Sequence, residues 1–384
     1  MMTLAASANP RERQALLGQF LTDSPTAGFM ASLFGPLPET VRLLDAGAGA
    51  GALTQAFVAH CCDTRAGVRT IEATLYELDL PILEVLAGTM RECERRCQES
   101  GIRFAFNIQH LDFIQEIGAQ LTGDLFAKSP PAFDCAIANP PYRKINNDST
   151  ERRALRAVGL ETSNLYTGFI ALIQRLLVPG GQLVGITPRS FCNGPYFRPF
   201  REDFLRHMAL HRLHVFESRR AAFRGDGVLQ ENIIFHAVKD RHQPRELTVS
   251  SSSGEHGSYV TRNTFPFEQI VHPGDSEKFI HIPSSASHAK AKTIMDGLGT
   301  SLDSLGVTVS TGRVVDFRLK DALRKEPAPD TAPLLYPCHF NNGTIHWPKP
   351  DARKPNAILD NAETRPWLVP SGLLTLQKRL WLRL

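Results

Sequence analysis

Alternating strand and helix patterns between Val41 and about Lys239 constrain the fold of this chain most. Short apolar runs typical of buried strands recur there, and helical or polar stretches separate most of them. Seven strands are predicted, at 41–45, 70–78, 103–109, 132–138, 181–187, 211–217 and 229–238. This alternation is typical of an α/β fold with a doubly wound, mostly parallel sheet. No full helix separates the last two strands, so the last is a candidate for antiparallel pairing.

The composition of the chain changes after this region. Residues 240–262 contain Pro244, Gly254, Gly257 and four consecutive serines at 250–253. Such a stretch indicates a domain boundary, and a length of 384 residues is consistent with two domains. We therefore expect an α/β domain over residues 1–245 and a mixed α+β region over 246–384.

A glycine-rich loop joins the first predicted strand to a helical pattern. Its glycines, Gly47, Gly49 and Gly51, stand at alternate positions, unlike the G-x-G-x-x-G spacing of a dinucleotide-binding loop. Glycine allows a tight turn and a close approach of the backbone to a ligand. Asp45, just before the loop, would repel a pyrophosphate but suits a ligand that carries an ammonium group. The alternative is that these small residues serve only the packing of the turn.

Carboxylates lie at the ends of the second and third predicted strands. Glu77 is placed to accept hydrogen bonds from both hydroxyls of a ribose, while Asp79 is expected to cap the helical stretch that follows. Asp112 could accept a hydrogen bond from an adenine amino group, and Phe113 could stack on the adenine ring. Each acid alone is more often structural. At successive strand ends, they predict one nucleoside site.

The segment Asn139-Pro140-Pro141-Tyr142 follows the fourth predicted strand, at the sheet edge where open α/β proteins place their chemistry. Two consecutive prolines stiffen the turn and remove two backbone donors. The Asn139 amide oxygen and the Pro140 carbonyl can then accept hydrogen bonds from one amino group beside the flat face of Tyr142. These groups are suited to grip a planar exocyclic amine and to expose the lone pair of its nitrogen.

The order of these motifs resembles that of the S-adenosylmethionine-dependent N6-adenine DNA methyltransferases of restriction–modification systems, in particular the PstI/BsuBI-like subgroup. Further stretches similar to that subgroup are 159–166, 187–201 and 228–235. The resemblance covers roughly residues 15 to 360. It implies a Rossmann-like methyltransferase fold, S-adenosyl-L-methionine as the cofactor, double-stranded DNA as the substrate and a restriction endonuclease as a functional partner. The implied activity is site-specific and adenine-specific.

The resemblance also implies roles for residues outside the strand ends. A family motif matches residues 18–22, which adds Gln19 and Thr22 to the cofactor-binding set; the family usually has proline after this threonine, whereas this chain has Asp23. The target base must be flipped out of the duplex. It would then stack on Tyr142 and, on its other face, on Phe223, for which ordinary core packing is an equally good explanation.

In the resembled family the C-terminal part reads the DNA sequence, so residues 246–384 are expected to form a target-recognition region. Stretches similar to parts of that region are 307–312, 334–340 and 347–350. The family normally continues well beyond the segment 354–358, whereas this chain ends at Leu384. The sequence is therefore compatible with a truncated or frame-shifted C-terminal region.

The distribution of charge, rather than its total, indicates a nucleic-acid surface. The formal net charge is only +4, but eight arginines and several aromatic residues lie between Arg189 and Arg224, with only three acids. Arginine pairs bidentately with phosphate and stacks on bases. We expect Arg219 and Arg220 to contact DNA phosphates. The alternative, a solvated helix face with core aromatic residues, accounts for part of this stretch.

The cysteines and the apolar segments limit the cellular context. The number of cysteines, seven, is odd and no C-x-x-C pair occurs, so neither a disulfide framework nor a metal site is favoured and a cytoplasmic protein is expected. The start of the chain lacks the features of a signal peptide. The most apolar stretch, 165–186, contains Arg175 and Pro179, so we expect no membrane span.

Two alternative functions stay open on the sequence alone. One is an N-P-P-Y enzyme that methylates the N5 atom of a protein glutamine. Those enzymes usually carry a helical domain in front, whereas only about 40 residues precede the glycine loop here and about 145 lie from the start of the predicted boundary region onwards, which favours DNA. The other is a truncated, non-catalytic relative that binds cofactor or DNA only. The catalytic and cofactor-binding motifs are intact, which argues against a loss of catalytic activity.

Overall fold

The structure is a computed structural model that describes most of the chain. The described residues are 22–64, 67–123, 129–216, 231–240, 242–252, 260–283, 294, 297, 299–300, 303–306, 313–341 and 344–369. The chain forms two compact units, Met1–Ile294 and Met295–Leu384. The residues of the candidate site lie in the first unit.

A nine-stranded sheet forms the centre of the first unit, in the order β3-β2-β1-β4-β5-β7-β6-β8-β9. The strands are β1 Thr40–Ala46, β2 Thr70–Tyr76, β3 Arg103–Gln109, β4 Phe133–Ala138, β5 Leu177–Pro188, β6 Met208–Phe216, β7 Asn232–Lys239, β8 Glu246–Ser252 and β9 Val260–Pro266. The strands β1 to β5 pair in parallel, and β7 is antiparallel to both β5 and β6. The predicted mostly parallel sheet is therefore confirmed, including the antiparallel seventh strand.

The sheet continues past the domain boundary that was predicted at residue 245. Strand β8 pairs in parallel with β6, and β9 pairs antiparallel with β8. Leu247, Val249 and Phe265 are buried in the same core as the preceding strands. The serine-rich stretch is therefore partly a strand of the first unit, and the division of the structure falls at 294/295 instead.

Helices cover both faces of the sheet. They are α1 Ser24–Ala31, α2 Ala52–Thr64, α3 Leu83–Glu99, α4 Phe113–Leu121, α5 Thr150–Ala157, α6 Leu165–Leu176, α7 Ser190–Asn193, α8 Arg198–His207 and α9 Phe267–Ile270. Successive side chains of a strand point to opposite faces, so β1 feeds two apolar cores. Leu43 packs with residues of α1, α2 and α3, whereas Leu44 packs with residues of α4, α6 and α8.

Short strands and 3₁₀ turns make up most of the regular structure in the described residues of the second unit. Strands β10 Leu323–Arg324, β11 Thr331–Pro333 and β14 Ala357–Leu359 form a three-stranded sheet. A hairpin is formed by β12 Phe340–Asn341 and β13 Thr344–Ile345. Fully buried Asn356 joins these pieces, since its Oδ1 lies 2.9 Å from Nε2 of His339 and its carbonyl accepts a hydrogen bond from the indole of Trp347 at 2.6 Å.

None of the helices in the described parts of the chain combines the length and the apolar character that crossing a bilayer requires.

Candidate active site

A cavity of about 250 Å³ opens at the carboxyl ends of β1 to β4. Its wall includes eight of the residues predicted from the sequence: Thr22, Gly47, Gly49, Glu77, Asp112, Phe113, Asn139 and Pro141. These residues come from five separate segments of the chain. The parallel sheet brings them together because the carboxyl ends of its strands meet at one edge.

The glycine loop turns sharply between β1 and α2. Gly47, Gly49 and Gly51 have φ angles of +81°, +55° and +86°, a region that side-chain-bearing residues rarely adopt. A Cβ atom on Gly51 would lie 2.9 Å from methyl carbons of both Leu86 and Met90. Gly47 and Gly49 line the cavity, whereas Gly51, predicted to contact the cofactor, lets α3 pack against the loop instead.

Glu77 connects the glycine loop to the end of β2. Its side chain is 2% exposed, and its two oxygens accept hydrogen bonds from the backbone N–H groups of Gly49 and Asp79, each at 2.7 Å. Burial raises the pKa of this carboxyl. The carboxylate thus holds the loop in place and also faces the cavity.

Asp79 does not have the role predicted for it. It stands at the N-cap of the 3₁₀ turn Leu80–Ile82, but among the described residues its side chain makes no capping hydrogen bond there. Its backbone is instead bonded to the Glu77 carboxylate at 2.7 Å. The prediction that the Asp79 side chain caps this turn is therefore wrong.

Asp112 and Phe113 begin α4 at the opposite side of the cavity. One oxygen of Asp112, Oδ1, caps the helix by accepting the N–H groups of Ile114 and Gln115 at 2.9 and 3.1 Å. Burial raises the pKa of Asp112. The Phe113 ring lies 5.0 Å from that of Phe169, so the two rings form an aromatic floor. Phe169 belongs to α6 and was not predicted from the sequence.

Asn139 and Tyr142 form a hydrogen-bonded pair beyond the end of β4. The Tyr142 hydroxyl donates to Oδ1 of Asn139 at 2.8 Å and lies 3.2 Å from the carbonyl oxygen of Ile186 in β5. The Asn139 amide nitrogen donates to Oγ1 of Thr22 at 3.0 Å. Burial raises the pKa of Tyr142 well above its ordinary value, so it remains a neutral phenol. Pro140 is buried beside them.

Arg143 and Glu151 place opposite charges on the cavity wall next to this pair. The guanidinium donates to the Glu151 carboxylate at 3.0 Å, and Glu151 lies in the first turn of α5. Both residues were missed in the sequence analysis. The position of Arg143 directly after Tyr142 was the available indication.

Asp45 lies beneath the glycine loop and is not on the cavity wall. It is 1% exposed; its Oδ2 accepts a hydrogen bond from Thr54 Oγ1 at 2.7 Å, while its Oδ1 has no hydrogen-bond partner within the described part of the chain. Burial raises the pKa of Asp45 to about 7. The structure therefore does not bring this carboxylate to the cavity wall, contrary to the prediction from the sequence.

The buried carboxyl of Asp45 should make stability depend on pH. Its folded-state pKa of about 7 lies above the ordinary 3.8, so between these values the folded protein holds a proton that the unfolded chain releases. Stability is therefore lost as the pH rises through this window. The free energy of unfolding of the wild type, relative to that of Asp45→Asn, should fall from low pH to neutral pH in urea titrations. A difference that stays constant with pH would contradict this assignment.

Several predicted residues lie outside the described residues. These are Gln19, Phe223, Arg219 and Arg220, so their roles stay predictions.

Within the arginine-rich stretch, Arg201 is fully buried and donates to the carbonyls of Phe191, Gly194 and Glu277 at 2.7–2.9 Å. It holds the turn before α8, so its role is structural.

The described residues contain no group of three or more His, Cys, Asp or Glu side chains that could hold a metal ion.

Comparison with known proteins connects this site to one family. Residues 96–223 match the Eco57I restriction-modification methylase family. The type II methyltransferase M.PstI of Providencia stuartii is 41% identical over 364 residues, which cover 95% of this chain and 71% of that protein. M.BsuBI of Bacillus subtilis is 40% identical over 369 residues, which cover 94% and 71%. The fold is similar to that in a DrdV–DNA complex, with a TM-score of 0.51 and 14% identity over 74% of this chain and 33% of that chain.

The strand order, the cavity at the carboxyl ends of the parallel strands and the N-P-P-Y segment define a Rossmann-like methyltransferase. The two relatives identify its kind, because they align with nearly the whole chain. The chain belongs to the PstI/BsuBI-like type II DNA methyltransferases of restriction–modification systems. This membership confirms the predicted function as a DNA methyltransferase of a restriction–modification system.

Proposed function

We propose that this protein transfers a methyl group from S-adenosyl-L-methionine to N6 of adenine in double-stranded DNA. The observation that supports this most is the position of Asn139. Its amide lies at the end of β4, on the wall of the same cavity that the glycine loop, Glu77 and Asp112 form. An amide at this place can hold an exocyclic amine close to a bound nucleoside cofactor.

The residues around the cavity fit S-adenosyl-L-methionine, which supplies an electrophilic methyl group when bound. The Glu77 carboxylate accepts the backbone N–H groups of Gly49 and Asp79. A carboxylate offers about four acceptor sites, so it can also accept a hydrogen bond from a ribose hydroxyl. Asp112 uses Oδ1 for its helix, and Oδ2 accepts no hydrogen bond from the described residues. Leu78 and Leu111, with Phe113, offer apolar surface to a purine.

The chain's own contribution to the reaction is positioning. Adenine N6 is a poor nucleophile because its lone pair delocalises into the ring. Oδ1 of Asn139 and the carbonyl of Pro140 would accept hydrogen bonds from the amine and localise that lone pair. Fixed dipoles of this kind, in a site that excludes water, accelerate a reaction without a covalent enzyme intermediate.

The relatives favour DNA over a protein glutamine as the substrate, since both are named as type II methyltransferases. A target base in a duplex must be flipped into the site and stacked, and we propose Tyr142 and Phe223 for this stacking. We also propose that Arg219 and Arg220 contact phosphates and that the C-terminal region recognises the target sequence. A restriction endonuclease of the same system would be the functional partner.

The identity of the methylated base can be tested with purified protein. Unmethylated duplex DNA is incubated with S-adenosyl-L-methionine that carries a deuterated methyl group, and the DNA is then digested to nucleosides for mass spectrometry. We expect the label in N6-methyldeoxyadenosine. Label in N4-methyldeoxycytidine, or in a protein glutamine when a cell extract is added, would overturn the adenine assignment.

A further inference from the structure

The geometry points to Thr22 as a positioning residue that sets the orientation of the Asn139 amide. This inference rests on the proposed function of Asn139 and adds a residue to it. Thr22 and Asn139 are 117 positions apart in the sequence, yet Oγ1 of Thr22 accepts a hydrogen bond from the Asn139 amide nitrogen at 3.0 Å. The contact joins the N-terminal segment to the catalytic edge of the sheet.

Orientation matters because the two ends of an amide have opposite hydrogen-bonding roles. The oxygen accepts hydrogen bonds, whereas the NH₂ group only donates. If the amide turned by 180°, its NH₂ group would face the incoming amine, and two donors would oppose each other. Asn139 therefore needs neighbours that hold its nitrogen away from the position of the substrate amine.

Two hydroxyl groups surround the Asn139 side chain. The Tyr142 hydroxyl lies 2.8 Å from Oδ1 and 3.2 Å from the Ile186 carbonyl. If its hydrogen went to Ile186, its oxygen could accept from a reversed amide, so Tyr142 alone does not fix the orientation. Thr22 supplies the second constraint when its own hydrogen is donated to a cofactor in the cavity, which Thr22 also lines. Its oxygen then only accepts, and it accepts from the nitrogen end of the amide.

The backbone around Thr22 is well placed to keep this contact. Asp23 is the N-cap of α1, and its Oδ1 accepts the N–H of Thr26 at 2.9 Å. Ala27 and Met30 of α1 are buried in the core that also contains residues of α2. Aspartate at position 23, where the resembled family usually has proline, thus anchors the turn that carries Thr22.

Replacing Thr22 by valine keeps the shape of the side chain but removes the hydroxyl. A net hydrogen bond is worth roughly 0.5–1.5 kcal/mol, which corresponds to a decrease of about 2- to 10-fold in the rate of methyl transfer. We expect this decrease in single-turnover experiments with saturating cofactor and DNA. Thr22→Ser should restore the rate to within about twofold of the wild type, because serine keeps the acceptor.

Two further measurements separate positioning from other roles. The dissociation constant of S-adenosyl-L-methionine is measured by calorimetry, so that the rates are compared at saturation even if loss of the hydroxyl weakens cofactor binding. Thr187→Val is the matched control, since this threonine lies next to Ile186 and its buried Oγ1 has no hydrogen-bond partner among the described residues; its rate should stay near that of the wild type. Thermal unfolding shows whether each variant is folded, and Thr22→Ala replaces the valine variant if that one is not.

A normal single-turnover rate for folded Thr22→Val at saturation would overturn the proposal and leave Thr22 with cofactor binding only. A serine variant as slow as the valine variant would also overturn it. The proposed function is judged separately, on the wild type and on Asn139 variants, so its failure would not be confused with failure of the role of Thr22.

Discussion

Replacement of Asn139 by alanine should slow methyl transfer by on the order of 10²–10³-fold, the usual cost of removing one preorganised hydrogen-bonding group from an active site. The amide oxygen would no longer hold the amine of the substrate. Since Asn139 is one of many residues on the cavity wall, affinity for the cofactor should change by only a few-fold. The loss should therefore occur in the single-turnover rate and not in cofactor binding.

A matched control for this variant is Asn107→Ala, which changes an exposed asparagine on β3. Its rate should equal that of the wild type. Circular dichroism and thermal unfolding should show that both variants are folded. If Asn139→Ala methylates DNA at the wild-type rate, the assignment of Asn139 as the group that holds the amine is wrong.

Replacement of Gly49 by aspartate should abolish measurable binding of S-adenosyl-L-methionine, with a dissociation constant at least about 100-fold higher. Gly49 has a φ of +55° and donates its N–H to Oε2 of Glu77 at 2.7 Å. The new carboxylate would stand beside the buried Glu77, and like charges in a poorly solvated site repel each other strongly. It would also occupy space on the wall of the cavity.

The control for the glycine variant is Gly101→Asp. Gly101 also has a positive φ, +73°, but no atom of the described residues lies within 4 Å of a Cβ at this position. The control also places an aspartate at a positive φ and adds the same charge, and it should bind cofactor normally in calorimetry. Binding by Gly49→Asp that is as tight as that by Gly101→Asp would mean that the glycine loop does not hold the cofactor.

The strands of the sheet that carry the site could be predicted because each is a short apolar run that ends in polar residues. Strand β8 could not be predicted in the same way. Its sequence ends in serines and resembles a linker, but Ser250 is buried and its hydroxyl lies 2.9 Å from Nδ1 of His214 on β6. A buried serine that is satisfied by a histidine on the neighbouring strand leaves no apolar pattern in β8.

The candidate site shows the same limit. Glu77, Asp112 and Asn139 could be placed because each follows a strand of the parallel sheet. Asp45 also lies near the carboxyl end of a strand, β1, but its side chain points towards Thr54 of α2 instead of the cavity. The direction of a side chain at a strand end depends on the packing of the next helix, which a single sequence does not reveal.

Contacts between distant segments were the other part that could not be predicted. Phe169 of α6 reaches the cavity because α6 packs in the same core as α4, which carries Phe113. The hydrogen bond between Thr22 and Asn139 likewise depends on where α1 docks. The sequence indicated that these four residues belong to one domain, but not that Phe169 contacts Phe113 or that Thr22 contacts Asn139.

The most direct test of the central claim is to map methylated bases in DNA from cells that express this chain, with cells that express Asn139→Ala as the control. The account predicts N6-methyladenine in one recurring sequence context for the wild type and almost none for the variant. DNA without N6-methyladenine, from cells that contain folded wild-type protein, would contradict the account.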